Sequence, residues 1–142
     1  MSERVHITEK SLPIMLLRAR EAVMRRFRPM LRLHDLSEQQ WRVLRVLHEQ
    51  GPTEPTVLAE QSVVLTPSLT RILANLEGRG LISRKRHNDD GRKQVAILSP
   101  KGRELIAQIT PQSTAIYAEL EAAFGSADTH ELMQALRRLT AL

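Results

Sequence analysis

The segment from Leu81 to Leu98 constrains this chain more than any other, because it carries a strong β signal in a sequence that otherwise reads as helix. Leu81 to His87 runs into Asn88-Asp89-Asp90-Gly91, and Arg92 to Leu98 runs out with Val95 and Ile97 alternating. An Asp-Gly pair between two extended runs marks a hairpin, since both residue types tolerate the positive φ of a tight reversal. A lone hairpin is barely stable in water. The helices on either side must therefore supply its core.

Those helices can be read from apolar spacing and end signals. Leu16, Ala19, Val23, Phe27 and Met30 recur at steps of three and four, which predicts one long amphipathic helix over roughly 11–33. Pro13 suits its first turn, whereas Pro29 should kink it or end it early. Ser37 and Gln40 form an S-x-x-Q capping box, with Leu36 and Trp41 at the two positions of a hydrophobic staple. Val43, Leu44 and Leu47 then face inward until Gly51-Pro52 stops the helix. A short third helix, about 56–62, buries Leu58 and Ala59, and Ser62 to Leu65 make a turn. A fourth helix has Thr66 as N-cap, Pro67 at the first helical position and an apolar face of Leu69, Ile72, Leu73 and Leu76, ending at Gly78 or Gly80. After the hairpin, Ser99-Pro100 caps a helix over roughly 100–124, bent at Pro111 and broken at Gly125. Asp128 opens a last short helix with Leu132, Leu136 and Leu139 on one face.

Composition excludes several function classes. The chain has 142 residues and no cysteine, so disulfides, thiolate metal sites and thiol redox switches are out. Met1 to Lys10 lacks the apolar stretch of a signal peptide, and the longest apolar runs are far too short to span a bilayer. These features predict a soluble, cytoplasmic protein. The five histidines (His6, His34, His48, His87, His130) are scattered without ligand spacing, so no metal site is expected. There is no glycine-rich phosphate loop, nucleophile elbow or ordered acid pair, so neither catalysis nor a cofactor is expected.

Charge points to a partner. The net charge is +5, but residues 66–101 hold eight Lys/Arg against three acids, and residues 18–32 hold six Arg against Glu21. The remainder is acidic. Two basic footprints in an acidic background fit a polyanion, although a solvated helix face would look similar.

Three short helices followed by a basic hairpin are the element order of a winged helix-turn-helix. The expected fold is therefore mainly α with a small β-hairpin wing (α+β), in one domain over 1–142 whose DNA-binding lobe spans 37–100. In the fourth helix Ser68, Arg71 and Asn75 share a polar face with Thr70 near it, and Thr66 and Pro67 open the helix. Arg can fork onto guanine and Asn can pair with adenine, while Thr66 and Ser68 can reach phosphate. Arg84 and Arg86 climb one arm of the hairpin, and Arg92 and Lys93 descend the other beside Gly91, where a narrow minor groove would attract them. The rival reading is a winged helix used only for protein contacts.

With these residues in view, the chain resembles the MarR family of regulators. The resemblance runs from Leu58-Ala59-Glu60 through Thr66-Pro67-Ser68-Leu69-Thr70-Arg71-Ile72-Leu73 and Leu76-Glu77-Gly78-Arg79-Gly80-Leu81-Ile82-Ser83-Arg84. It continues through the wing motif Asp90-Gly91-Arg92-Lys93 to Val95-Ala96-Ile97-Leu98-Ser99-Pro100-Lys101-Gly102. The resemblance implies a homodimer joined through the helices of 10–34 and 101–142, a palindromic double-stranded DNA operator with half-sites roughly one helical turn apart, and DNA contacts by Pro67, Ser68, Arg71 and Arg92. Ser11-Leu12-Pro13, Arg18-Ala19-Arg20-Glu21 and Gln39-Gln40-Trp41-Arg42-Val43-Leu44-Arg45 further resemble the branch that represses homoprotocatechuate degradation.

That branch implies a small aromatic carboxylate as effector, held between the dimer platform and the DNA-binding lobe. A carboxylate needs a cation, preferably the planar fork of Arg. Arg18 and Arg20 are the candidates, with Ser11, His34 and Trp41 as polar or stacking partners. Trp41 fits a core anchor better, given its staple position, and Arg18 and Arg20 equally fit a solvated face or a dimer salt bridge.

Overall fold

The structure, a computed structural model, describes residues 11–86 and 94–142. The expectations placed on the hairpin tip, including Arg92 and Lys93, lie outside the described residues. Within them the order is α1 (Leu12–Leu33), α2 (Glu38–Gln50), α3 (Pro55–Ser62), α4 (Thr66–Gly78), β1 (Ile82–Arg86), β2 (Gln94–Leu98), α5 (Pro100–Phe124) and α6 (Ser126–Thr140). This is a mainly helical winged helix-turn-helix. None of these helices is long and apolar enough to cross a membrane.

The chain divides into two compact units, one from Met30 to Pro111 and the other formed by the residues up to Pro29 together with Gln112–Leu142. Both divisions fall at a proline inside a helix, Pro29 in α1 and Pro111 in α5. Pro29 does not end its helix, which runs on to Leu33.

The unit from Met30 to Pro111 holds the larger core. Leu44, Leu47, Leu58, Leu69 and Leu76 are all but sealed from solvent, and Leu81, Ile82, Ala96 and Leu98 extend the core under the strands. α2 begins as the sequence predicts. Ser37 Oγ accepts from the Gln40 amide at 3.1 Å while Gln40 Oε1 accepts from the Ser37 amide at 2.9 Å. The staple residues Leu36 and Trp41 are both buried. The strands pair antiparallel from Ile82↔Leu98 to Arg86↔Gln94. Thr53 adds an isolated antiparallel bridge to Ala96, with bonds of 3.1 and 2.9 Å, which ties the α2–α3 loop to the wing.

Two helix starts differ from the sequence reading. Thr66 is the first helical residue of α4 and not its N-cap. That position belongs to Leu65, whose extended backbone places its carbonyl to accept the Leu69 amide at 2.9 Å. α6 starts at Ser126, ahead of Asp128, because Gly125 at φ 108° turns the chain and its carbonyl accepts the Thr129 amide.

In the other unit, the Phe27 and Tyr117 rings meet tilted at 4.8 Å between centroids. Amphipathic α6 buries none of its residues within this chain, and Leu132 and Met133 stand half exposed.

Candidate DNA-reading face

α4 carries the face. Its apolar residues Leu69, Ile72, Leu73 and Leu76 are buried, which turns Thr66, Pro67, Thr70, Arg71 and Asn75 outward, with Ser68 half-buried at the edge. No described residue engages the exposed Arg71 guanidinium, so it keeps its full fork of donors. Thr70 Oγ1 leans back on the Thr66 carbonyl at 3.3 Å. No side chain caps the start of α4, which leaves its first amides without a side-chain acceptor.

Asn75 has a partner within the chain. Its Oδ1 accepts from Gln40 Nε2 at 2.9 Å, which takes one of that oxygen's two lone pairs. The bond links the capping box of α2 to the middle of α4. The sequence pattern placed Asn75 on the right face but could not show that a residue 35 positions away would occupy it.

The wing arginines also differ from one another. Arg84 Nε lies 3.7 Å from Glu77 Oε1 of α4 and is shielded from solvent, so this side chain ties β1 to the helix. Arg86, two residues on and therefore on the same face of the strand, is exposed at the end of β1.

The helix-turn-helix is held from beneath by cations that sequence reasoning did not single out. Arg42 on α2 donates from Nε to the Ser62 carbonyl at 2.7 Å and from Nη2 to the Val63 carbonyl at 3.2 Å. Arg79, just past α4, donates to the carbonyls of Asp35 at 2.7 Å and His34 at 3.2 Å. Lys101 donates to the Arg79 carbonyl at 2.9 Å, and Arg103 to that of Leu98 at 3.1 Å. Sequence alone shows these residues only as charges. Their acceptors are main-chain oxygens, which leave no complementary charge in the pattern.

The effector candidates fall on both units. Trp41 is 9% exposed and Arg45 lies over its ring at 5.7 Å, which makes it a core anchor roofed by a cation. His34 sits in the turn after α1. Ser11, Arg18 and Arg20 belong to the other unit, where both arginines are exposed. On the same stretch of α1, Arg28 donates to both oxygens of Glu21, one at 2.7 Å. This bond, with smaller contributions from the charges of Arg25 and Arg20, holds the Glu21 carboxyl below its ordinary range.

The sequence model of the MarR family matches residues 36–94. The homoprotocatechuate degradative operon repressor of Escherichia coli is 39% identical over 132 residues, which cover 93% of this chain and 89% of that protein. The crystal structure of NadR in complex with 4-hydroxyphenylacetate superposes with a TM-score of 0.83 at 34% identity, over 92% of this chain and 95% of NadR. The repressor CouR, solved bound to a 23-mer DNA duplex, superposes with a TM-score of 0.86 at 26% identity over 99% of both chains.

Proposed function

The chain belongs to the MarR family of winged-helix, DNA-binding transcriptional regulators, and from that premise we propose that it represses an aromatic-acid catabolic operon until a small aromatic carboxylate releases it from a palindromic operator. The observation that carries the reading is the 39% identity to a homoprotocatechuate operon repressor over nearly the whole chain. The 4-hydroxyphenylacetate held by NadR supports the ligand class.

The repressor acts as a homodimer. Leu12, Met15, Leu16 and Leu17 of α1 are exposed, as are Tyr117 and Phe124 of α5 and Leu132 and Met133 of α6. Apolar residues at that density on three helices need a covering surface, and a second copy of the chain supplies it. Two-fold symmetry then presents two copies of α4 to successive major grooves. Arg71 reads a base edge in each half-site. Thr66, Ser68 and Thr70 bond phosphate or base, Pro67 packs on the backbone, and Arg86, Arg92 and Lys93 of the wing follow the minor groove.

The effector's carboxylate is taken by Arg18 or Arg20, with Ser11 as a polar partner. Trp41 is assigned to the core. Binding changes the spacing of the two recognition helices, so the operator-competent state loses population. Moving a two-state equilibrium from 1:99 to 99:1 needs about 5.5 kcal/mol of differential affinity. Two effector sites per dimer divide that requirement.

Fluorescence anisotropy on the DNA upstream of the gene, with and without 4-hydroxyphenylacetate or 3,4-dihydroxyphenylacetate, tests this. Tight, salt-sensitive binding released by either acid is expected. Binding that neither acid disturbs removes the aromatic-acid reading. Binding no tighter than to random DNA removes the operator itself.

A further inference from the structure

The turn that leads into α4 contains two departures from ordinary turn chemistry. Val63 occupies the left-handed region at φ 55°, ψ 54°, where glycine or asparagine is usual and a β-branched residue is strained. Leu65 occupies the N-cap of α4, where a short polar side chain is usual. Neither side chain contributes to the core: Val63 is 79% exposed and Leu65 78% exposed, while Val64 between them is buried. The strained backbone is held in place from below, with the Val64 amide bonded to the Ala59 carbonyl at 3.0 Å and Arg42 bonded to the carbonyls of Ser62 and Val63.

Two exposed apolar side chains thus project immediately before Thr66, Pro67 and Ser68, at the end of the recognition helix that meets base edges in this fold. In the major groove the apolar feature of a base edge is the C5 methyl of thymine. We propose that Val63 and Leu65 are specificity residues that pack on thymine methyl groups of the operator, next to the positions read by α4. The surface is continuous with the DNA-reading face, which is why DNA and not a protein partner is its occupant. The inference rests on the DNA-binding reading and adds to it an apolar contact to thymine from the turn, beside any that the methyls of Thr66 and Thr70 make.

The experiment uses the full-length protein and a duplex that the wild type selects from a random library. Each thymine in that duplex is replaced in turn by deoxyuridine, which removes the methyl and keeps the pairing. One or two thymines per half-site should show about a threefold to fivefold loss of affinity on replacement, the value of one buried methylene. Val63→Gly and Leu65→Ser should each bind the thymine duplex several-fold more weakly, and each should lose nothing further when the thymine that its own residue contacts is replaced by uridine. Val63→Gly should meanwhile keep or raise the urea midpoint, since it relieves the left-handed strain, so a fall in affinity cannot be assigned to unfolding. Equal affinity of the wild type for thymine and uridine duplexes overturns the proposal, and so does either variant retaining the full uridine penalty at every thymine. A wild type that selects no duplex overturns the DNA reading itself, and this inference falls with it.

Discussion

Gly102 and Gly78 are both helical glycines, and the structure predicts opposite signs for the same substitution at the two positions. Replacing a glycine by alanine inside a helix ordinarily stabilises by about 0.5–1 kcal/mol, because the unfolded chain loses freedom. At Gly78, the end of α4, a Cβ would meet nothing within 4 Å, so Gly78→Ala should deliver that gain. At Gly102, in the first turn of α5, a Cβ would overlap the Leu81 carbonyl oxygen and come within 3.1 Å of both the Leu81 carbonyl carbon and Leu98 Cδ2. The oxygen belongs to the main chain and cannot rotate away. It also accepts the Ser99 amide at 3.0 Å. Overpacking of this kind costs about 1–3 kcal/mol, and weakening the amide bond adds about 1 kcal/mol. After subtracting the helix gain, Gly102→Ala should destabilise by about 1–3 kcal/mol. The two variants should then differ by about 2–4 kcal/mol in urea denaturation at one fixed protomer concentration, with unchanged slopes. Should both variants move the midpoint in the same direction, the close approach of α5 to Leu81 would be wrong.

Other positions offer independent tests. Arg42→Met keeps the stem but removes two charge-assisted bonds to the helix-turn-helix turn, and should cost about 2–4 kcal/mol by urea denaturation, since each such bond is worth about 1.5–3 kcal/mol and the methionine restores some packing. Arg71→Ala should cost about 1–3 kcal/mol in operator binding and relax one base preference per half-site, whereas Arg92→Ala should weaken specific and random DNA alike; equal losses on both for Arg71→Ala would remove its role in base reading. The Glu21 carboxyl, held low by Arg28, should titrate by NMR below an ordinary glutamate. A depressed folded pKa means that the contribution to stability is present above the unfolded pKa and is lost as pH falls through the folded one. Arg28→Gln should return the midpoint to the ordinary range.

Local signals made most of the fold legible. The capping box at Ser37 and Gln40, the staple at Leu36 and Trp41, the positive-φ Gly80 after α4 and the alternation of Val95 and Ile97 are all encoded within a few residues of where they act. The same locality explains the two misplaced helix starts. Leu65 and Gly125 carry no capping side chain, so nothing in their identity marks a helix beginning. The outward face of α4 was legible from its 3.6-residue period. Which of its polar residues are free was not, because Gln40 reaches Asn75 and Glu77 holds Arg84 through contacts that depend on packing. Val63 was hidden for a different reason. Its signal is a backbone conformation that its residue type disfavours.

The clamps around the DNA-reading lobe share one property with a bearing on its evolution. Arg42, Arg79, Lys101 and Arg103 all grip main-chain carbonyls, and a carbonyl survives any substitution of the residue that bears it. A substitution at Ser62, Val63, Asp35 or Leu98 therefore leaves the acceptor itself in place, so its effect comes through burial at Ser62 and Leu98 and through the positive φ at Asp35 and Val63. The clamps read the course of the main chain and not the side chains displayed on it. A lineage can rewrite the turn and the exposed face of α4 to address a new operator while inheriting the same frame, and a library that randomises those positions would draw on the same tolerance.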